Sequence, residues 1–441
     1  MPGTACLAAN FKSTPYWWEA APPEAPGSFD PPVRTDVAIV GSGYCGLSAA
    51  AELANAGRTV VVLDAGPLGI GASTRSGGMV TGGQKFVVSG ALAGHPSQKQ
   101  RRILEDAKAS LDYIEQQISQ NNLDADYQRC GRLIAAVTPW HYSRLETWAK
   151  LLDAHAPGTT QLVPRNKLPG EIGGKHYFGA LLINNYGGLH PAKYHKALRG
   201  HARSRGARLI GDMPVLKVER NGGGFVVHTA RGDIQAQQVL VATNGYSDTA
   251  DAFLRERVVG AASYIIATEA LPVAILGKLN PHGRMISDTK RSLSYFRLSP
   301  DLTRVVFGGR ASGRDLSEEA AAPHLHRPMC EIWPELAEFK VSHCWRGNVG
   351  MTYDHIPHMG THEGVHYAVG CNGSGVAMMS YLGHQSALRM LGRQNRPCAF
   401  EADEFPKIPM ASAKSWIVPA VTRWYLARDW LDSKLADRKR N

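Results

Sequence analysis

The sequence lacks the cysteine patterns of disulfide-rich proteins and of zinc sites. Its seven cysteines are an odd number, are dispersed along 441 residues and form no C-x-x-C pair. Such spacing argues against a disulfide framework, a structural zinc site or a disulfide reductase. We therefore expect a reduced, cytoplasmic protein without a metal centre.

The sequence also lacks an evident targeting or membrane segment. The N-terminal residues show no basic region followed by an apolar core, so no signal peptide is expected. Residues 258–276 are mostly apolar and nearly long enough to span a membrane. Because Glu269 and Pro272 interrupt this segment and β-branched residues alternate along it, it predicts two buried strands and no transmembrane helix.

Basic residues are not gathered into a surface that would bind nucleic acid. The formal net charge is +11, from 49 basic and 38 acidic residues, but Lys and Arg are dispersed and the one dense cluster is at 438–440. We assign the excess charge to solvated surface and to anionic ligands, and expect no nucleic-acid partner.

Residues 35–83 contain the pattern of a dinucleotide-binding unit. The apolar run 36–40 predicts a buried parallel strand, and residues 47–56 predict a helix. Between them, Gly41, Gly43 and Gly46 fill the three positions of G-x-G-x-x-G. In this motif they serve the tight turn, the close approach of a pyrophosphate and the packing of the helix on the strand.

An acidic residue follows the second strand of this unit. Residues 59–63 predict that strand, and Asp64 at its carboxyl end can accept hydrogen bonds from an adenosine ribose. A carboxylate would repel a 2′-phosphate, which disfavours NADP. The other residues of the unit that we expect to contact the cofactor are Ser42, Tyr44, Cys45 and Ala65.

A second run of small residues, 69–79, lies where an NAD domain would begin its next helix. Small residues allow backbone to lie along a flavin ring, and Ser73 and Arg75 can reach phosphate or ring heteroatoms. The composition favours FAD, although a glycine loop without a ligand would look the same. The predicted cofactor contacts in this run are Gly71, Ala72, Ser73, Arg75, Gly77, Gly78 and Met79.

The blocks G-x-G-x-x-G-L-S-A-A, L-D-A and G-A-S-x-R-x-G-G-M resemble the FAD-dependent amine and amino-acid oxidoreductases of the D-amino-acid oxidase superfamily. The resemblance is strongest to the branch that contains gamma-glutamylputrescine oxidoreductase. Residues 345–376 are similar to the C-terminal signature of this family, W-x-G…T-x-D-x-x-P…G-x-N-G-x-G-V, with a predicted strand at 365–369 and a predicted helix at 376–391.

The resemblance implies how the C-terminal signature binds FAD. In the family the helix start points at the flavin pyrimidine, where glycine amides and the helix N-terminus stabilise negative charge. Covalent subgroups carry a linking His or Cys, but residues 73–76 hold no His and residues 346–351 hold no Cys. We expect noncovalent FAD. The implied contacts are Gly347, Asn372, Gly373, Gly375 and Val376, with Val215 near the adenine and Thr243 and Asn244 at the end of a strand predicted at 237–243.

The predicted fold class is α/β (α+β), with a Rossmann-type FAD-binding domain and a discontinuous second domain on a mostly antiparallel sheet. The length exceeds that of a usual single core. We predict a lead-in at 1–34, an FAD domain at 35–90, 185–250 and 341–400, a substrate domain at 91–184 and 251–340, and a helical tail at 401–441.

Both ends of the chain are expected to pack on the body. The aromatic residues Trp17 and Trp18 are read as packing residues rather than ligand contacts. In the tail, helical spacing places Ile417, Val421, Trp424, Leu431 and Leu435 on one face. Docking of this face on its own domain is favoured over contact with a membrane surface, because the opposite face carries mixed charge.

A predicted hairpin at 292–298 and 304–309 supplies candidate substrate contacts. Alternation places Tyr295 and Arg297 on one face, where an aromatic ring and a guanidinium would suit a carboxylated amine, although an exposed strand would show the same pattern. His355 or Arg346 is expected close to the ring, and Arg346 is an alternative carboxylate partner.

The resemblance implies that the protein oxidises the C–N bond of an amine or N-substituted amino acid. A neutral amine would give hydride to FAD, water would hydrolyse the imine, and oxygen would reoxidise the flavin. Two alternatives stay open: a dehydrogenase of an N-methylated or D-amino acid that reduces a quinone or protein, and a flavin-binding subunit without chemistry.

Overall fold

The computed structural model describes residues 5–25, 27, 30–88, 90–92, 96–247, 251–311, 315–401, 404–409, 419–420, 422–425, 427–429 and 431–432. Its strands are β1 Leu7–Lys12, β2 Arg34–Val40, β3 Val60–Leu63, β4 Met79–Thr81, β5 Arg132–Ala135, β6 Thr160–Pro164, β7 Gly179–Ile183, β8 Tyr186–Gly188, β9 Arg208–Ile210, β10 Val215–Asn221, β11 Gly224–Thr229, β12 Gly232–Val241, β13 Val259–Thr268, β14 Met285–Asp288, β15 Tyr295–Leu298, β16 Val305–Gly309, β17 Val341–Met351, β18 His358–His362 and β19 Val365–Val369. Its helices are α1 Tyr44–Asn55, α2 Gln84–Val88, α3 Ser97–Gln120, α4 Pro139–His155, α5 Pro191–Ser204, α6 Ala252–Arg255, α7 Val273–Leu279, α8 Glu318–Ile332 and α9 Gly375–Met390.

One sheet carries the predicted dinucleotide unit. Its strand order is β10-β11-β12-β2-β3-β9, and β19 joins β12 and pairs with β18. The strands β12, β2, β3 and β9 run parallel. Both faces of β2 are covered, because Val37 and Ile39 enter one hydrophobic core and Ala38 and Val40 enter another. This burial explains the uninterrupted apolar runs in the sequence.

The second sheet has the order β1-β17-β13-β16-β15-β14-β5-β7-β6. Most of its neighbours are antiparallel, and β1 with β17 and β14 with β5 are parallel. Phe296 and Phe307 stack on one face, in a core that α8 covers. Trp345 and Tyr295 lie on the opposite face, which is turned toward the first sheet. The mixed α/β fold class with a mostly antiparallel second sheet is thereby confirmed.

The segment 258–276 differs from the prediction of two strands, which was wrong. A single long strand, β13, crosses the sheet between β16 and β17, and α7 follows it. Pro272 is the N-cap residue of α7. Proline readily occurs at the start of a helix. Pro272, which argued against a membrane helix, therefore marks the change from strand to helix.

Two elements lie across the predicted domain boundaries. Helix α3, predicted in the substrate domain, packs Ile103, Leu111 and Ile114 into the core that also holds α1 and α9. Strand β17, predicted in the FAD domain, pairs with β13 in the substrate sheet. Both placements depend on tertiary packing, which the order of elements along the chain does not specify.

The two ends of the chain pack as helical or extended segments on the substrate sheet. Trp17 is fully buried and its Nε1 donates to the carbonyl of Ser76 at 2.9 Å, which confirms its packing role. In the tail, Thr422 and Asp429 are buried, whereas Trp424 and Leu431 are 57% and 45% exposed. Docking therefore uses a different face from the predicted one. The predicted positions Ile417, Val421 and Leu435 lie outside the described residues.

None of the helices in the described ranges is both long and apolar enough to cross a membrane.

Candidate functional site

The N-terminus of α1 forms a cradle directly after β2. Gly41 has a φ of +103°, and a Cβ on Gly46 would lie 2.0 Å from the Gly41 carbonyl oxygen. A Cβ on Gly43 would lie 3.1 Å from the hydroxyl of Ser73, which accepts a hydrogen bond from the N–H of Tyr44 at 3.1 Å. Because Gly43 has no side chain to cap the helix, the N–H groups of α1 that follow Tyr44 are available to an anion such as a pyrophosphate.

The carboxylate of Asp64 is fixed at the carboxyl end of β3. Its Oδ2 accepts hydrogen bonds from the Ser42 backbone at 2.8 Å and from the Ser42 hydroxyl at 2.6 Å, while Oδ1 accepts from Gly66 N–H at 3.3 Å. A carboxylate has four acceptor positions, so it retains capacity for ribose hydroxyls. Ala65 beside it is exposed, and Val215 is half-buried at the start of β10.

Tyr44 and Cys45 direct their side chains away from this cradle. The Tyr44 hydroxyl donates to the Ser73 carbonyl at 2.6 Å, and burial raises the pKa of this phenol well above its usual value. The Cys45 thiol faces the carbonyl of Ala368 in the core, and burial raises its pKa to about 12. The side chains of these two predicted contacts therefore do not reach the cradle.

Two indole rings anchor the glycine-rich loop that follows. Trp345 Nε1 donates to the Arg75 carbonyl at 2.9 Å, next to the carbonyl that Trp17 holds. The guanidinium of Arg75 lies over the Trp18 ring at 4.6 Å and donates to the carbonyls of Ile70 and Arg346. Arg75 therefore ties the loop to β17, instead of pointing freely toward a phosphate.

The same loop presents backbone where side chains would not fit. A Cβ on Gly77 would lie 3.1 Å from the Tyr295 ring. Gly78 has a φ of +69°, and a Cβ added to it would clash with the Leu189 carbonyl oxygen at 2.2 Å. A Cβ on Gly71 would meet nothing within 4 Å. Ala72 follows in a short 3-10 turn, and Met79 pairs with Gly188 in the ribbon of β4 and β8.

The turn before α9 is built by two asparagine side chains. Asn372 Oδ1 accepts from the N–H of Thr352 at 3.0 Å, and its Nδ2 donates to the Gly370 carbonyl at 2.7 Å. Asn244 Oδ1 accepts from the N–H of Gly370 at 2.9 Å, and its Nδ2 lies 3.2 Å from the Cys371 sulfur. Both side chains are engaged in shaping the turn. The Thr243 hydroxyl lies 2.7 Å from that of Ser247.

The start of α9 offers a second set of backbone N–H groups. Its N-cap residue Ser374 makes no side-chain cap, and Gly375 and the buried Val376 open the helix. A Cβ on Gly347 would lie 3.2 Å from the Cβ of Arg75, so β17 also approaches the glycine-rich loop closely here. Two uncapped helix starts and an acidic residue at a strand end are the donor and acceptor set that a dinucleotide flavin requires.

Lys85 on α2 is a candidate site residue that sequence reasoning missed. Its Nζ lies 3.4 Å from the position of a Cβ on Gly373, beside the start of α9. Burial lowers the pKa of this amine to about 8. The electrostatic interaction with Arg132 also lowers the pKa, whereas that with Cys371 raises it. Among the described residues, no carboxylate forms an ion pair with it. A lone lysine in a short helix carries no sequence signal, because only tertiary structure reveals its burial.

Tyr295 lies on the face of the substrate sheet that meets the glycine-rich loop. Its hydroxyl is 3.1 Å from that of Ser263, and its pKa is raised to about 12 by burial. The ring lies over the backbone of Gly77 and across the strand from Gly308. Tyr295 therefore forms one wall of the space above the loop.

Arg297 lies on the same face and is almost fully buried. Its Nη1 donates to the carbonyl of Leu189 at 2.8 Å and to those of Gly77 and Gly78 at 3.4 Å. Burial lowers the pKa of this guanidinium to about 10. In the part of the chain that the structure describes, it has no ion-pair partner, and its Nη2 makes no hydrogen bond.

The other two predicted catalytic residues are placed differently. Arg346 pairs across the sheet with Tyr264, on the face opposite to Tyr295, and its guanidinium lies 3.5 Å from Asp315. His355 has a φ of +59°, and partial burial and the charge of Lys85 lower its pKa. The structure brings His355 toward Lys85, but it separates the side chain of Arg346 from Tyr295 and Arg297.

Comparison with known proteins adds independent information. The family model described as FAD dependent oxidoreductase matches residues 36–388. The probable oxidoreductase OrdL of Haemophilus influenzae is 29% identical over 380 residues, covering 85% of this chain and 87% of that protein. Gamma-glutamylputrescine oxidoreductase of Escherichia coli is 28% identical over 408 residues, covering 90% and 94%.

A similar fold occurs among solved structures. The crystal structure of glycine oxidase from Geobacillus kaustophilus matches with a TM-score of 0.71 and 20% identity, covering 86% of this chain and 99% of that one. This likeness shows a shared fold.

Proposed function

The chain belongs to the DAO family of FAD-dependent oxidoreductases, which act on amines or amino acids, and we propose that it oxidises the C–N bond of a carboxylated amine. The substrate would be a primary or secondary amine or an N-substituted amino acid, of the gamma-glutamylputrescine type, with oxygen as electron acceptor. The observation that carries the proposal is the buried guanidinium of Arg297, which has no described carboxylate partner.

A buried cation without an acidic partner is costly unless a ligand supplies the counter-charge. Arg297 makes its described hydrogen bonds to neutral backbone carbonyls, which orient the guanidinium but do not neutralise it. Asp126 interacts with it electrostatically from a distance and is itself ion-paired with Lys193 at 3.0 Å. A substrate carboxylate would complete this site through charge-assisted hydrogen bonds.

Tyr295 would position the substrate beside Arg297. The ring covers Gly77 of the loop that would lie along the flavin, and its hydroxyl is held by Ser263. An aromatic wall and a fixed carboxylate would together restrict the amine to one orientation and exclude water, which is the main contribution a protein makes to this chemistry.

The two helix starts and Asp64 would hold the cofactor noncovalently. The cradle of Gly41, Gly43 and Gly46 with Ser73 suits the pyrophosphate, Asp64 suits the ribose, and the amides at Gly373–Val376 suit the pyrimidine ring. When bound, FAD supplies the hydride acceptor. The substrate loses hydride from carbon and a proton from nitrogen, and water then converts the imine to a carbonyl compound with release of ammonia from a primary amine or of an amine from a secondary one.

The curated relatives support the amine class, since one of them is named for gamma-glutamylputrescine. An anaerobic screen of amines with and without a carboxylate tests the proposal. Carboxylated amines should bleach the bound flavin, and admitting oxygen should restore its colour with release of hydrogen peroxide. Bleaching that oxygen reverses only slowly, while a quinone reverses it rapidly, would indicate a dehydrogenase. No bleaching by any amine would indicate a binding subunit.

A further inference from the structure

Arg132 and Arg297 occupy the same row of the substrate sheet. Parallel pairing places Arg132 opposite Met285, and the antiparallel pairing of Ser287 with Tyr295 places Met285 opposite Arg297. All of them share the face that carries Tyr295, because opposed residues point to the same side. Neighbouring strands are about 4.8 Å apart, so the two arginine backbones are on the order of 10 Å apart.

The side chain of Arg132 is held by two neutral residues, Ser287 and Tyr186. Its Nη2 and Nε donate to the Ser287 hydroxyl at 2.5 and 3.1 Å, and its Nη1 donates to the Tyr186 hydroxyl at 3.2 Å. The guanidinium also lies over the Tyr186 ring at 5.1 Å. Ser287 and Tyr186 are buried neutral partners. No carboxylate of the described residues lies within ion-pair distance of this half-buried charge.

Lys85 is a third cation, close to Arg132. Helix α2 is held against β8 because Gln84 Nε2 donates to the Asn185 carbonyl at 3.1 Å. Lys85 and Arg132 are near enough that the charge of one disfavours protonation of the other. No hydrogen bond among the described residues joins either side chain to Gly43 or Ser73 of the pyrophosphate cradle, and Lys85 lies instead beside Gly373 at the start of α9.

A side chain that only linked Ser287 to Tyr186 would not need the positive charge of Arg132. Ser287 and Tyr186 could be bridged by a neutral amide, whereas a guanidinium between neutral partners keeps an unneutralised positive charge beside Lys85. Arg284, one residue before β14, shows the contrast, because its guanidinium is paired with Glu171 at 3.0 Å. The charge on Arg132 therefore indicates a ligand.

We propose that the substrate carries two acidic groups, the first bound by Arg297 and the second by Arg132 with Lys85 beside it. This assignment rests on the proposed function, which supplies the first carboxylate, and it selects diacids over amines of the gamma-glutamylputrescine type, which carry one free carboxylate. The second acid stands either on the side chain of an amino acid or on the substituent of its nitrogen. In either position of the second acid, the substrate presents one carboxylate to Arg297 and the other to Arg132.

Non-oxidised ligands test the second site directly. Glutarate and butyrate, which differ by one carboxylate, should perturb the flavin spectrum of the FAD-loaded protein with different dissociation constants. A second charge-assisted contact gives glutarate a preference of roughly tenfold to a hundredfold. Arg132→Met should remove this preference and leave butyrate binding unchanged, and Arg132→Lys should restore part of it.

A matched control uses an arginine that already has a partner. Arg129 lies three residues before Arg132 and pairs with Glu115 at 3.6 Å, so Arg129→Met should keep the full preference for glutarate. Comparing N-carboxymethylglycine with glutamate as substrates identifies the position of the second acid. Faster anaerobic bleaching by the former places it on nitrogen, and faster bleaching by the latter places it on the side chain.

The outcomes separate this inference from the proposed function. Equal binding of glutarate and butyrate, with bleaching by a monocarboxylated amine, would overturn the diacid assignment and leave amine oxidation intact. A glutarate preference that survives in folded Arg132→Met protein would also overturn it. Failure of every carboxylated amine to bleach the flavin, despite a preference for glutarate that depends on Arg132, would overturn the proposed function.

Discussion

The Nζ of Lys85 lies 3.4 Å from the place that a Cβ on Gly373 would occupy, at the N-terminal end of α9. An amine and an uncapped helix start thus direct positive charge at the same space. In the absence of an anion, this arrangement disfavours protonation of Lys85, whose pKa burial lowers from 10.5 to about 8. Negative charge placed in this space would reverse that penalty.

The buried amine should make the stability of the FAD-free protein depend on pH. Between about 8 and 10.5, folded Lys85 is neutral while the unfolded chain still binds the proton, so the free energy of unfolding rises with pH. This gain in the free energy of unfolding is complete above pH 10.5 and is lost as the pH falls to about 8. Denaturant titrations should show a slope that Lys85→Met removes, amounting to a few kcal/mol at most.

The exposed Lys108, paired with Asp112 at 2.6 Å, provides the control. Lys108→Met should leave the slope of the parent protein unchanged. An identical pH dependence in Lys85→Met and the parent protein would show that Lys85 is not the titrating group.

Arg297→Met should weaken a carboxylated amine selectively. Breaking a buried charge pair costs on the order of 3–5 kcal/mol, so kcat/KM should fall by roughly two or more orders of magnitude. An uncharged amine of similar shape should lose little. Arg346→Met is the comparison, because Arg346 lies on the opposite face of the sheet and pairs with Asp315. Equally small decreases in kcat/KM for both amines in Arg297→Met would show that Arg297 does not bind the carboxylate.

Gly43→Val should abolish FAD binding without unfolding the protein. A side chain there would fill the space between α1 and the Ser73 hydroxyl, only 3.1 Å away, that a pyrophosphate needs. Gly200→Ala in α5, where an added Cβ meets nothing within 4 Å, should bind FAD normally. Binding is measured as the yellow flavin released by acid precipitation. Flavin that stays in the pellet of the parent protein would contradict noncovalent attachment.

Asp429 should control the loop that leads into β15. Its carboxylate accepts hydrogen bonds from Arg291 N–H at 3.0 Å, from Ser292 N–H at 2.7 Å and from the Ser292 hydroxyl at 2.5 Å. Asp429→Ala leaves partly buried donors unsatisfied, at a cost of about 1–3 kcal/mol. Hydrogen exchange at residues 291–295 should accelerate. Unchanged exchange there would show that the tail does not hold the loop.

Local sequence patterns were sufficient for the cofactor half of the molecule. The order of β2, the glycine turn, α1 and β3 follows from residues that are neighbours in the chain, and the structure reproduces it with Asp64 at the strand end. The hairpin of β15 and β16 was also predictable, because alternation and a short turn define it. These elements depend little on distant contacts.

The remaining differences come from tertiary packing. Arg346 and Trp345 are adjacent in sequence, yet β17 turns them to opposite faces, and only the pairing of β17 with β13 shows which face meets the flavin loop. Lys85 is distinguished by burial, and Arg132 by the absence of a described acidic partner. Neither property can be read from residue type, so the sequence did not predict the grouping of Lys85, Arg132 and Arg297.

The most direct test of the account is anaerobic mixing of the FAD-loaded protein with paired amines that differ only in the presence of a carboxylate. Oxidation of a carboxylated amine bound by Arg297 predicts rapid loss of visible flavin absorbance with the carboxylated member and little with the other. Bleaching by the uncharged member alone, or by neither while a chemical reductant still bleaches the flavin, would contradict it.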